Sequence, residues 1–328
     1  MRRPGLSDVP ELTALLRRHE RNGRGWAGAT TAEVQAEVSA RGYQTRDHVV
    51  LCDDAGAIRG WAAAHDRAAG RLVLVVVVDH RLIEDVADEV AAWLFGWADA
   101  VAVRVGRRRG LERQQLDSGS FEDDRRQTRW LERAGYRLVR TWWQMSRPVQ
   151  PGEVSLGAQL RDGVRIRLVE RQGDDLPSTE DLRTVHDVLE TAFEDHFNAH
   201  EETFDEFAFR LREDPGHRWD HWWIAELVDG GAPEPAGTLV GAVRQGEGDA
   251  PDGSYVEYLG VLPSARGRGV ARSLLATVIA DAAARGRNRV GLEVDADSPT
   301  GADRLYVSMG WRTDYVTRSW HRFVDVPG

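Results

Sequence analysis

The chain has 328 residues, 41% of them hydrophobic, with 43 basic residues that are all arginine and a formal net charge of −10. That is enough apolar material for two ordinary cores, and no run approaches the ~18 apolar residues of a membrane span. Charge is uneven: residues 1–150 carry net +3 and residues 151–328 carry net −13, which argues against nucleic acid as a partner and for a cationic one.

Met1-Arg2-Arg3-Pro4-Gly5 leads into an amphipathic helix, not into the apolar region of a secretory leader. The one cysteine, Cys52, forms no internal disulfide and suits a reducing cytoplasm. In the first half, Ser7-Asp8 is expected to cap a helix over Val9 to Arg21, with a second helix over Thr31 to Ala40. His48 to Cys52, Ile58 to Ala64 and Leu72 to Val78 read as strands. A helix follows from Ile83 to Trp97, then a strand from Val101 to Val105, a solvated arginine-rich loop over 104–113, and a helix from Arg125 to Ala134.

Pro148 to Gly163 breaks the periodic pattern and marks a domain boundary, giving domains over 1–150 and 163–328. Beyond it, Val164 to Val169 reads as a strand. Thr179 to Phe193 places Leu182, Val185, Val188, Leu189 and Ala192 at helical spacing, and a shorter helix runs from Thr203 to Leu211. Trp222 to Val228, Thr238 to Arg244 and Tyr255 to Leu262 read as strands. A helix over Ser273 to Arg285, a fifth strand, a helix over 302–309 and a last strand pair complete the half.

Between the strand ending at Leu262 and the next helix lies Arg266-Gly267-Arg268-Gly269-Val270-Ala271. Glycines let backbone approach a ligand closely, and the first-turn N–H groups of a helix have no intrahelical partner, so this is an anion site. It has no Gly-Lys-Ser/Thr ending and no third dinucleotide-type glycine.

Arg266, Gly269 and Ala271 match the Gln/Arg-x-x-Gly-x-Gly/Ala loop of the GNAT N-acetyltransferases. Leu292-Glu293-Val294-Asp295, then Leu305-Tyr306 and Met309-Gly310-Trp311, resemble that family's fifth strand and following helix. The Val294-Asp295-Ala296-Asp297 string resembles the mycothiol synthase group of tandem members. The resemblance covers about 163–322. It implies an α/β (α+β) fold of two tandem GNAT-like domains, each a mixed, mostly antiparallel sheet flanked by helices. The first half echoes the second: Gly135-Tyr136-Arg137 repeats Gly310-Trp311-Arg312. Where the second half has its glycines, however, the first has Asp79-His80-Arg81, and Leu131 stands in the place of Tyr306. The first domain is therefore expected to be non-catalytic.

The resemblance further implies acetyl-CoA as co-substrate. Its pantetheine arm would lie along Leu259, Gly260 and Val261, and its pyrophosphate on Arg266, Gly267, Arg268, Gly269, Val270 and Ala271. Ser298 stands near where many relatives carry asparagine. Tyr306 would be the general acid and Glu257 the base, with Glu293 the other choice. The acidic stretch Glu190 to Glu206 reads as the solvent face of an amphipathic helix pair or as an acidic mouth that attracts an amine, and the cluster Trp219, Trp222 and Trp223 as the wall of an acceptor pocket or a seal between the halves. His196/His200 and His217/His221 have helical spacing, but no metal is expected, for lack of cysteine partners or an H-E-x-x-H string. The expected activity is acetyl transfer, by direct attack, to a primary amine of a small cationic molecule. The expected state is a monomer or homodimer with no nucleic-acid or membrane partner. An acyl-CoA sensor and a protein acetyltransferase are the alternatives.

Overall fold

The computed structural model describes residues 1–67, 71–158, 161–171, 177–194, 202–211, 217–246, 250–298 and 301–327. In chain order the elements are α1 (Val9–Arg24), α2 (Thr31–Glu37), β1 (Arg46–Cys52), β2 (Ile58–Arg67), β3 (Arg71–Val78), α3 (Glu84–Arg109), β4 (Arg113–Phe121), α4 (Arg125–Arg133) and β5 (Arg137–Pro148). There follow β6 (Val164–Leu168), α5 (Thr179–Phe193), α6 (Phe204–Leu211), β7 (His217–Leu227), β8 (Glu234–Arg244), β9 (Gly253–Val261), α7 (Val270–Ala284), β10 (Arg289–Asp295), α8 (Ala302–Ser308) and β11 (Arg312–Asp325). They form two compact units. Unit 1 comprises Met1–Trp143, Asp295–Asp297 and Tyr315–Gly328; unit 2 comprises Gln144–Val294 and Ser298–Asp314.

In unit 1, β1, β2 and β3 pair antiparallel, β4 joins β3 in parallel, and β11 pairs antiparallel with β4. One face is covered by α3, whose Ala87, Ala91, Leu94, Ala98, Val101 and Val105 pack on Leu72, Leu74 and Leu116. The other carries α1 and α2, whose Leu12, Leu15 and Val34 meet Val50, Trp61 and Val77. Strand alternation explains the division: in β3, Leu72, Leu74 and Val76 face α3 while Val77 faces α1. Thr30 and Glu33 form a capping box on α2, whereas the Asp8 carboxylate binds Arg2 and the Gly5 N–H and does not cap α1.

Two expectations fail here. Val101 to Val105 is not a strand but part of the 26-residue α3, since its buried positions recur at helical spacing. The arginine-rich stretch is therefore mostly the last turns of that helix, where cations suit the dipole. The strand is instead Arg113–Phe121, whose inward residues Gln114, Ser118 and Ser120 are polar and leave no apolar alternation to read.

Unit 2 repeats the plan. Strands β6, β7, β8 and β9 pair antiparallel and β10 joins β9 in parallel after the crossover through α7. Helices α5 and α6 pack Leu182, Val185, Leu189, Phe207 and Leu211 on Trp222, Ile224 and Val240. The 3-10 stretch Pro151–Ala158 lies against α7. One strand, β11, stands where a last strand pair was expected.

The internal repeat extends to individual hydrogen bonds. After α4, Gly135 (φ 81°) ends the helix and Tyr136 N–H donates to Leu131 O at 3.0 Å; after α8, Gly310 (φ 96°) does the same and Trp311 N–H donates to Tyr306 O at 3.1 Å. Both are glycine-terminated helices locked by a following aromatic residue.

Candidate active site

The loop between β9 and α7 is built by glycine. Past a turn at Pro263–Ala265 the chain runs through Gly267 (φ 77°) and Gly269 (φ 82°), left-handed conformations that side chains resist. Gly269 is the N-cap of α7 and makes no side-chain cap bond, so the first-turn N–H groups at Val270 and Ala271 are aimed out of the turn. No atom lies within 4 Å of where a Gly267 Cβ would stand, whereas one on Gly269 would come within 2.7 Å of the Arg161 side chain. An uncapped helix start beside open space fits a pyrophosphate. Arg268 pairs with Asp229 at 2.5 Å; Arg266 borders the same turn.

The strand before the loop is opened by a bulge. In β9, Tyr258 pairs with Val240 and Val256 with the adjacent Gly241, so Glu257 is the extra residue. The parallel ladder to β10 covers Ser254–Val256 and, among the described residues, does not continue past the bulge. Leu259, Gly260 and Val261 remain paired to β8, with their β10 side open. Gly260 lies against α5, where a Cβ would meet Leu189 at 3.1 Å. An extended ligand arm with amide groups fits that open edge.

Around the bulge, polar side chains form one connected row. Glu257 lies 3.8 Å from Arg244, and the Arg244 guanidinium sits 4.6 Å over the Tyr255 ring. The Tyr255 hydroxyl donates to Gln144 Oε1 at 3.4 Å, and Gln144 Nε2 donates to the Glu293 carboxylate. Glu293 is exposed at the surface of β10, although many protein atoms crowd around its carboxylate. This desolvation raises its carboxyl above the usual range, and the bond from Gln144 only partly offsets it. Gln144, Tyr255 and Arg244 carried no sequence signal. Gln144 lies 149 residues from its partner, and only the fold joins them.

Tyr306 lies on α8, 8% exposed, with its ring 6.1 Å from that of Trp311. Burial pushes its hydroxyl up to about 12, so it holds its proton at neutral pH. Ser298 is half-buried just beyond β10. Trp222 and Trp223 are core residues, 0% and 4% exposed. Much of the acidic stretch, including His196 and His200, lies outside the described residues, as does the His217 side chain. His221 is buried between Asp220 and Arg287.

Unit 1 fills the corresponding place with its own anion. After β3, the fully buried Asp79 carboxylate accepts from Arg81 at 2.7 Å and Arg59 at 2.9 Å, with Arg18 at 3.7 Å. Burial alone would raise this carboxyl; the arginines outweigh it and hold it well below the usual range. Leu131, the counterpart of Tyr306, is 0% exposed in the core.

Residues 182–311 match the acetyltransferase (GNAT) family. The match lies within the second half of the chain and takes in the β9–α7 loop and Tyr306; with the two relatives below it makes the protein an acyltransferase. It resembles two proteins named mycothiol acetyltransferase. One, from Kocuria rhizophila, is 29% identical over 230 residues, 68% of this chain and 71% of the relative. The other, from Thermobispora bispora, is 33% identical over 194 residues, 56% of this chain and 59% of the relative. Among solved structures, a GCN5-related N-acetyltransferase from Sphaerobacter thermophilus superposes with a TM-score of 0.72 at 23% identity, covering 100% of this chain and 96% of that one. A tandem GNAT protein from the clavulanic acid biosynthesis pathway gives 0.69 at 12% identity, covering 99% and 98%. The fold is that of a tandem GNAT protein. Among the described residues no helix is long and apolar enough to cross a membrane.

Proposed function

We propose that the chain transfers the acetyl group of acetyl-CoA to a primary amine of a small, cationic molecule, and that unit 2 alone does so. The observation that carries this is the uncapped start of α7, opening beside a β9 edge freed by the Glu257 bulge. Backbone amides at Gly267 to Ala271 bind the pyrophosphate, and Leu259 to Val261 offer main-chain partners to the pantetheine arm. Direct attack requires a neutral amine, so a carboxylate must take the ammonium proton, and the departing thiolate must gain one. Tyr306, protonated at working pH, gives the second proton; Glu257 takes the first, directly or through water. Glu293 is the competing base, because a raised carboxyl is better matched to accepting a proton near neutrality. The net charge of −13 on residues 151–328 favours a cationic acceptor.

The test is CoA release across a panel of small amines headed by mycothiol-related acceptors, with peptide substrates as the contrast. Glu257→Gln and Glu293→Gln are then compared in kcat/KM against pH. Loss of the acid limb in one variant identifies the base. Acetyl-CoA binding with no transfer to any amine would sink the activity.

A further inference from the structure

His19 on α1, His80 in the turn after β3 and Asp124 at the N-cap of α4 meet inside unit 1, although His19 and His80 are 61 residues apart in sequence. Their donor atoms all lie within 4.8 Å of one another, the one such convergence of three among the described residues. His19 Nδ1 faces both partners at once: His80 Nε2 at 3.4 Å and Asp124 Oδ2 at 4.0 Å. A hydrogen-bonded relay would bring these atoms to about 2.7–3.2 Å. Zinc holds nitrogen and oxygen ligands at about 2.0–2.2 Å, and the edges of such a tetrahedron are about 3.3–3.5 Å. Both observed gaps are long for hydrogen bonds; the His19–His80 gap matches such an edge, and the His19–Asp124 gap of 4.0 Å exceeds it by about half an ångström, which a small side-chain shift would close.

We propose that His19, His80 and Asp124 bind a divalent transition-metal ion of the zinc class, with a fourth position for water or an exogenous donor. Two imidazoles and a carboxylate are a donor set that such ions favour. The carboxylate is already oriented, because its Oδ1 accepts the Gln127 N–H at 2.9 Å and leaves Oδ2 toward the histidines. The site is nearly enclosed, with the His19 and Asp124 side chains 14% and 6% exposed and the Phe121 ring 5.5 Å from that of His19. Arg126, which donates to the His80 carbonyl at 3.4 Å, opposes a cation and limits the affinity. A bound ion would clamp α1, the turn after β3 and the start of α4 together within unit 1.

The experiment uses the full chain, stripped with chelator, loaded with zinc, dialysed and measured by elemental mass spectrometry and thermal melting. The wild type should hold about one zinc per chain with a Kd on the order of 1–10 µM and melt at a higher temperature with metal than without. The double variant His19→Gln/His80→Gln should hold less than about a tenth as much and show no shift. Asp124→Asn, which keeps the helix-cap acceptor, should weaken binding about tenfold and guards against misfolding of the double variant. Equal zinc in the double variant, or none in the wild type, would overturn the proposal. So would X-ray absorption of the loaded wild type showing no imidazole around the metal.

Discussion

Units 1 and 2 share three antiparallel strands leading into a parallel partner through one helix, and they diverge at the end of the strand before that helix. Unit 2 ends it in glycines and an uncapped helix start. Unit 1 ends it in Asp79, a buried carboxylate gripped by arginines. One unit leaves its helix start uncapped, and the other places an anion from its own chain there. The duplicated fold keeps the same hydrogen bonds at the ends of α4 and α8, while the matching positions hold the apolar Leu131 in one unit and the hydroxyl-bearing Tyr306 in the other.

The contrast is most easily broken at Gly269. Gly269→Glu should weaken acetyl-CoA binding by more than about 100-fold through backbone strain, contact with Arg161 and repulsion of phosphate. Calorimetric titration of the wild type should give one site per chain; two sites would mean that unit 1 also binds. Next in size, Asp79→Asn should cost unit 1 about 3 kcal/mol in denaturant unfolding, since three arginines lose their shared charge. Unchanged stability would show that the carboxylate fills space only. Tyr306→Phe should lower kcat about 10- to 100-fold with little change in KM for acetyl-CoA, and equal turnover would reduce Tyr306 to packing.

The smallest effect is on pH. Burial, the main cause, lowers His48 in unit 1 to about 4, against about 6.5 in an unfolded chain. The stability that its neutral form contributes is present above about pH 6.5 and is lost as pH falls toward 4. Between pH 7 and pH 5 unit 1 should lose about 2 kcal/mol on this account. His48→Gln should flatten that acid limb; an identical slope would place the acid sensitivity elsewhere.

The second half was legible because its signals are local. The glycine loop and the helix Thr179–Phe193 declare themselves within a few turns of chain. Unit 1 was harder to read. Valines at 101, 103 and 105 alternate like a strand, and only their spacing from Ala91, Leu94 and Ala98 reveals the long helix. Polar inward residues hid β4. The pairing of Gln144 with Glu293 and the meeting of His19, His80 and Asp124 depend on distant segments, which no local pattern encodes.

The pairing of β4 with β11 sets an order of manufacture. Residues 113–121 find their partners at 317–325, some two hundred residues further along. As the chain emerges during synthesis, every strand of unit 2 is made before this one, so unit 2 can fold while unit 1 still lacks a strand beside β4. The unit that begins first is the one that finishes last, and a nascent chain stalled before Tyr315 would expose the β4 edge to any passing strand.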